Sequence, residues 1–197
     1  MNYQAAKEYI LKRLKEELSD QLYYHGIHHT LDVLAVTEEL CTAESVKERE
    51  RVLLRTAALY HDCGFLVSNQ EHERRGCEIA QEVLPTLGYD EQAINQICGM
   101  IMATKIPQSP QTLLEEIICD ADLDYLGRED FYPIGNTLFE ELKAFKVLSD
   151  EESWNRIQVN FLENHHFFTA TNITRRSPQK AVYLEELKKI VEGYKKN

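Results

Sequence analysis

The sequence predicts an all-α fold, and three observations carry that expectation. Nearly every stretch of the 197-residue chain repeats its apolar residues at the helical period. No segment sustains the alternation of β-branched residues that a half-buried strand needs. Gly (8) and Pro (5) are too few for the many turns of a sandwich or barrel. A chain of this length is expected to form one compact domain around one core.

The elements follow in order. Residues 3–18 place Tyr3, Ile10, Leu11, Leu14 and Leu18 on one stripe of a charged helix. From Ile27 to Thr42, Val33, Val36 and Leu40 share one line, and Leu31, Leu34 and Cys41 another. Residues 46–62 contain VLLRTAALYHD, apolar almost all round, which marks the central buried helix. A break follows at Gly64, then a polar loop through Ser68 and Asn69. A helix over about 71–84 stops at Pro85 and Gly88. Asp90 can cap a helix to about 103, and KIPQSPQ interrupts the chain. Helices are expected over about 111–126, from Pro133 to about 147, from Ser149 or Asp150 to about 167, and from Ser177-Pro178 onward. That makes eight or so.

Charge excludes some partners. A formal net charge of −11 repels nucleic acid and anionic membranes at long range, while a small phosphorylated substrate remains compatible through local cations or a metal. No stretch approaches the ~18 consecutive apolar residues of a membrane span. The opening MNYQAAKEYILKRLKEEL reads as a charged amphipathic helix rather than a signal peptide. Cysteines 41, 63, 77, 98 and 119 form no CxxC pair and sit in apolar stretches, so buried thiols of a reducing cytoplasm are expected.

The chemistry concentrates in histidines and aspartates. His61-Asp62 ends the most apolar helix, and a carboxylate buried there needs compensation. A divalent metal supplies it; an Asp capping a neighbouring helix beside a carbonyl-bonded His does so as well, and the dipeptide leaves both open. Helical phase separates the other candidates. His28 leads to Asp32 and Glu39 on a solvent face, whereas His29 leads to Val33, Val36 and Leu40 on a buried one. In ICDADLDYLG, Asp122 falls between Ile118 and Leu126 and is read as the buried carboxylate, with Asp120 and Asp124 facing outward. His29, His61, Asp62 and Asp122 together would make a mixed N₂O₂ site with open positions for water. Such a site suits one divalent ion, Mn, Fe, Co, Ni or Zn better than Ca, with Mg also admissible.

The order of these residues resembles the HD superfamily of metal-dependent phosphohydrolases. The resemblance rests on His29 in YHGIHHT, His61-Asp62 in LYHDCGF and Asp122 in DADLDYLG, a motif core spanning 24–127. It implies an HD/phosphodiesterase-like helical bundle over residues 1–197, with the helices of 128–197 packing on that core. It also implies a metal on those four residues and hydrolysis of phosphate mono- or diesters, often of nucleotides. NQEHERRGCEIA is similar to the HE-x-x-G stretch of two-metal relatives, in which the His binds a second ion. The further His those relatives supply from the next helix is missing from CGMIMATKI. His72 is therefore expected to donate a proton or touch substrate, with second-metal and packing roles left open.

Within this reading Asp62 orients or deprotonates a water, and His72 protonates the leaving oxygen. Lys105, delivered by an apolar helix into the Pro-bounded loop, and Arg75 are the expected phosphate contacts; Arg74, Arg128, Arg175 and Arg176 are further cations. His165-His166 fit either a pocket mouth or a helix C-terminus, and Trp154, Tyr132 and the nearby Phe residues are expected in the core. Two rivals belong to other classes. A di-iron oxygenase of this fold needs the missing second set of histidines, and a regulator would bind metal or nucleotide without turnover.

Overall fold

A computed structural model describes residues 1–194. The order is α1 (Tyr3–Glu17), α2 (Ile27–Ala43), α3 (Glu48–Tyr60), α4 (His72–Val83), α5 (Glu91–Ala103), α6 (Leu113–Asp122), α7 (Phe131–Ala144), α8 (Glu151–Asn164) and α9 (Ala170–Tyr194). Short 3-10 turns follow α3 (Cys63–Leu66), α4 (Leu84–Leu87) and α6 (Asp124–Gly127). Among the described residues there is no strand.

Helix α3 is the hub, packing against α1, α2, α5 and α6. Leu53, Leu54 and Ala57–Tyr60 are buried on it, so its near-continuous apolar sequence is matched by neighbours on every side. One apolar cluster joins α1 to α6. A second gathers Tyr24, the turn after α6, and α7 to α9 around Phe131, Leu162, Phe167 and Tyr183. Helix ends are secured by side chains. Asp90 accepts from the Ala93 N–H, Thr112 from Glu115 and Asp150 from Ser153.

Two boundaries differ from expectation for physical reasons. Helix α9 begins at Ala170, seven residues before Ser177, so Pro178 lies inside it and Arg175 and Arg176 are helical. The start is set by Thr169, whose hydroxyl accepts from the Asn172 N–H at 3.1 Å. A helix normally loses one hydrogen bond at an internal proline, and here the long contact with α8 and the turn after α6 offsets it. Helix α6 stops at Asp122, and Leu123 leaves helical geometry. Asp120 and Asp124, on either side of that stop, are held by α9 and the loop before it.

Candidate metal centre

Each candidate ligand is placed by a local feature of sequence. Gly26 opens α2, which leaves His29 on its first turn, buried in line with Val33, Val36 and Leu40, while His28 is exposed. His61 and Asp62 follow the last turn of α3 and are both buried. Helix α4 lies close against them because two glycines remove the side chains between. A Cβ at Gly64 would sit 1.8 Å from the His72 carbonyl oxygen, and one at Gly76 would sit 3.0 Å from that of Tyr60.

Three of the four groups converge, and Asp62 abuts both histidines. His29 Nε2 and His61 Nε2 are 3.3 Å apart. Asp62 Oδ2 lies 3.1 Å from His61 Nε2 and 3.5 Å from His29 Nε2. Asp122 Oδ1 lies 3.1 Å from His29 Nε2 and 3.5 Å from His61 Nε2. His29, His61 and Asp122 each offer a ligand atom within 4.8 Å of the other two.

The chemistry of this donor set calls for a cation. His61 Nδ1 faces the Ala58 carbonyl oxygen at 2.9 Å. A carbonyl only accepts, so Nδ1 carries a proton, and in the neutral ring Nε2 turns a lone pair toward the cluster. Asp62 Oδ2 is buried without a hydrogen-bond partner. Two carboxylates and two imidazole nitrogens thus face one small volume, an arrangement that is costly without positive charge at its centre. The protonation preferences agree. Burial works against charge on each group, yet Asp62 and Asp122 lift His61 well above the ordinary imidazole range. Their histidine neighbours in turn hold Asp62 below the carboxylate range and Asp122 down at about 2.

Asp62 is two-sided. Its Oδ1 faces His72 Nε2 at 3.5 Å, and His72 Nε2 is 3.4 Å from Glu73 Oε1. Phe65 stacks on the His72 ring at 4.3 Å and on the His25 ring at 4.3 Å. His25 is anchored through Nδ1 to Glu141 of α7, which also accepts the Tyr24 and His25 backbone N–H groups at 2.7 and 3.0 Å. Burial opposes charge on His25, but this carboxylate and those of the cluster outweigh it and raise its pKa. Sequence reading missed Glu73, His25 and Glu141. The HE dipeptide pointed to the first and YHGIHHT to the second; Glu141 is 116 residues from its partner and left no local signal.

The two neighbouring aspartates correct the helical-phase reading. Asp120 and Asp124 are fully buried, and Asp122 is the one that reaches a cavity. The face of α6 taken as outward is covered by α9. Asp120 accepts from the Phe168 and Thr169 backbone N–H groups, each at 2.9 Å, and from the Thr169 hydroxyl at 2.7 Å. Burial outweighs these bonds and pushes its pKa up to about 6. Asp124 receives Arg176 at 2.8 Å and the Asn172 amide at 3.1 Å.

The expected phosphate contacts lie elsewhere. Lys105 is exposed, because Thr104 and Ile106 on either side of it are the residues that face the cavity. Arg75 is half-buried and pairs with Glu78 at 3.1 Å. Arg74 pairs with Glu71 and Glu78, Arg128 with Asp32 and Asp130, and Arg175 with Glu39. His165 ends α8, but burial and nearby Lys180 push its pKa down to about 3, so it supplies no charge to the helix terminus. With His166 it lines a separate cavity beside Pro107 and Phe168. Trp154 is buried as expected, whereas Tyr132 is exposed. Four cysteines are buried free thiols, and Cys98 is partly exposed.

A cavity of about 250 Å³ opens onto this centre. Asp62, His72, Glu73, Asp122 and His25 form one end, and residues of the second apolar cluster, among them Leu126, Phe131, Phe161 and Leu162, form the other. No helix among the described residues is long and apolar enough to cross a membrane.

Comparison with known proteins gives one family match: the HD domain model aligns with residues 26–124. No curated protein matches the chain. A crystal structure of a predicted HD superfamily hydrolase from an uncultured Thermotogales bacterium shares the fold. Its TM-score is 0.61 at 21% identity, covering 95% of this chain and 92% of that one.

Proposed function

The chain belongs to the HD-domain family, and from that membership together with the convergent donor set we propose that it is a divalent-metal-dependent phosphohydrolase acting on a phosphate mono- or diester of a small molecule. The observation that carries this reading is the buried, partnerless Asp62 Oδ2 facing two imidazole nitrogens and a second carboxylate. His29, His61, Asp62 and Asp122 are the ligands in this reading. Their mixed nitrogen and oxygen set suits Mn, Fe, Co, Ni, Zn or Mg. When bound, such an ion lowers the pKa of water and polarises a phosphoryl oxygen.

The protein's own groups supply the rest. The Ala58 carbonyl fixes the His61 tautomer, so its Nε2 is presented without reorganisation. Asp62 engages the cluster through Oδ2 and keeps Oδ1 on the cavity side, placed to take a proton from the attacking water. His72, held by the stack on Phe65, donates a proton to the leaving oxygen. One P–O bond is broken, the water oxygen bonds to phosphorus, and the alcohol departs protonated. A second ion would draw on Asp62 Oδ1, His72 and Glu73, and elemental analysis distinguishes one ion from two. The protein is proposed to work as one domain, since His25, Asp62, His72 and Asp122 share one cavity with Phe131, Trp154 and Leu162 of the later helices; its free cysteines support a reducing cytoplasm.

The test is elemental analysis of the purified protein beside a phosphatase and phosphodiesterase screen with several metals. His61→Ala and Asp62→Ala are expected to lose bound metal and hydrolysis together. His72→Ala is expected to keep the metal and lose rate. A metal-free variant that turns over at the parent rate overturns the mechanism, and binding of nucleotides without any turnover favours a regulator.

A further inference from the structure

Beyond the metal end, the cavity is built for something other than a nucleotide. Its deep wall consists of Leu126, Phe131, Leu138, Trp154, Phe161 and Leu162. Among the described residues no Lys or Arg lines it. Lys105, between the lining residues Thr104 and Ile106, is turned to solvent, and three other cations near the wall are spent on internal partners. Arg128 holds Asp32 and Asp130, Arg176 holds Asp124, and Lys180 Nζ donates to the Leu162 carbonyl at 2.8 Å.

Polar groups deep in the wall are few and partly committed, with the Gln158 carbonyl oxygen left to accept. Gln158 donates its amide to Asn155 Oδ1 at 3.1 Å, and the Thr104 hydroxyl donates to the Ile101 carbonyl at 2.8 Å. A nucleobase placed here would find few partners, and each of its donors or acceptors left buried without one costs about 1–3 kcal/mol. A polyphosphate would meet Asp62, Glu73 and Asp122 with no Lys or Arg in the lining to offset them. A single phosphate on the metal side with an apolar group behind it leaves neither cost. The volume of about 250 Å³ lies at the small end of ligand sites.

We infer that the substrate carries its phosphate on an apolar alcohol, alkyl or aryl, rather than on a nucleoside. This rests on the phosphohydrolase reading above for the phosphate and on the wall chemistry for the tail.

The test uses the intact protein with Mg²⁺ and unbranched alkyl phosphonates from ethyl to octyl, which have no ester bond to hydrolyse. The phosphonate analogue of adenosine monophosphate is run beside them. Binding is measured by calorimetry and by the fluorescence of Trp154, the single Trp of the chain and part of the cavity wall. Affinity is expected to rise about fourfold per methylene until the tail fills the cavity. The adenosine analogue is expected to bind no better than ethylphosphonate. Affinity independent of chain length, or an adenosine analogue that matches octylphosphonate, overturns the inference. A parallel turnover screen separates the two readings. Chain-length dependence with no phosphate ester hydrolysed sinks the phosphohydrolase reading alone; hydrolysis with no chain-length dependence sinks the apolar-alcohol inference alone.

Discussion

Two acidic clusters lie back to back around the end of α6, and they solve the problem of buried carboxylates in opposite ways. On one side Asp120 and Asp124 are satisfied from within, by backbone N–H groups, the Thr169 hydroxyl, the Asn172 amide and the Arg176 guanidinium. On the other, Asp62 and Asp122 face two histidines, and Asp62 Oδ2 has no hydrogen-bond partner. Both clusters are equally rich in acid, so acidity does not mark a functional site. What marks it is carboxylates that face no permanent cation: Asp124 Oδ2 also lacks a hydrogen bond, but Arg176 Nη2 lies 2.8 Å from it, whereas Asp62 Oδ2 and Asp122 Oδ1 face only imidazoles. The first cluster docks α9; the second is left to be completed from outside.

The effect this contrast makes all or none is on metal. Asp122→Asn replaces a charged ligand by a neutral amide whose oxygen still accepts from His29, so the metal-free fold is expected to melt close to the parent. Divalent metal at about 100 times its Kd is expected to stabilise the parent by about 2.7 kcal/mol, and the variant not at all. Thermal melts with and without added metal read this directly. A variant stabilised as much as the parent would place the ion elsewhere.

The internally satisfied side comes next, where stability changes and metal binding does not. Arg176→Ala strands Asp124, which is fully buried. Leaving one partner of a buried pair uncompensated costs about 3–5 kcal/mol. Chemical denaturation is expected to show that loss, while the metal content of the folded fraction stays at the parent level. A loss under about 1 kcal/mol would mean that Asn172 and Arg128 already suffice for Asp124.

The same contrast explains what was legible in the sequence. The apolar periodicity of α2 and α3 located His29 and His61, because a helix that is surrounded reveals its inward face by its own residues. Phase failed at α6. Its two sides are both buried, one under α9 and one at the cavity, and helical phase measures only which residues share a side. Polar residues on the covered side looked solvent-facing because their partners, Thr169, Asn172 and Arg176, lie about 50 residues away. The N-terminus of α9 was hidden for a related reason. Pro178 is a strong local stop signal, and only tertiary packing carries the helix through it. Lys105 shows the limit at the level of one residue, since a step of one position along a loop turns a side chain from cavity to solvent.

The smallest effect expected is a pH dependence that separates the clusters by sign. The pKa of Asp120 is pushed from 3.8 up to about 6 in the fold. Its protonated form is therefore the one the native state favours. The stability it contributes is complete below the unfolded pKa near 4 and is lost as the pH rises through about 6. Paired carboxylates such as Asp130, whose pKa is lowered, act in the reverse direction and lose stability as the pH falls. The parent alone mixes both trends, but subtracting Asp120→Asn isolates one. The parent is expected to gain on the variant as the pH is lowered from 6.5 to 4, by at most about 1.4 kcal/mol per pH unit. Urea denaturation at half-unit steps measures that difference. A flat or inverted trend would mean that the Thr169 hydroxyl and the two backbone N–H groups hold Asp120 ionised. The internally satisfied cluster would then need no proton, just as the other is argued to need a metal.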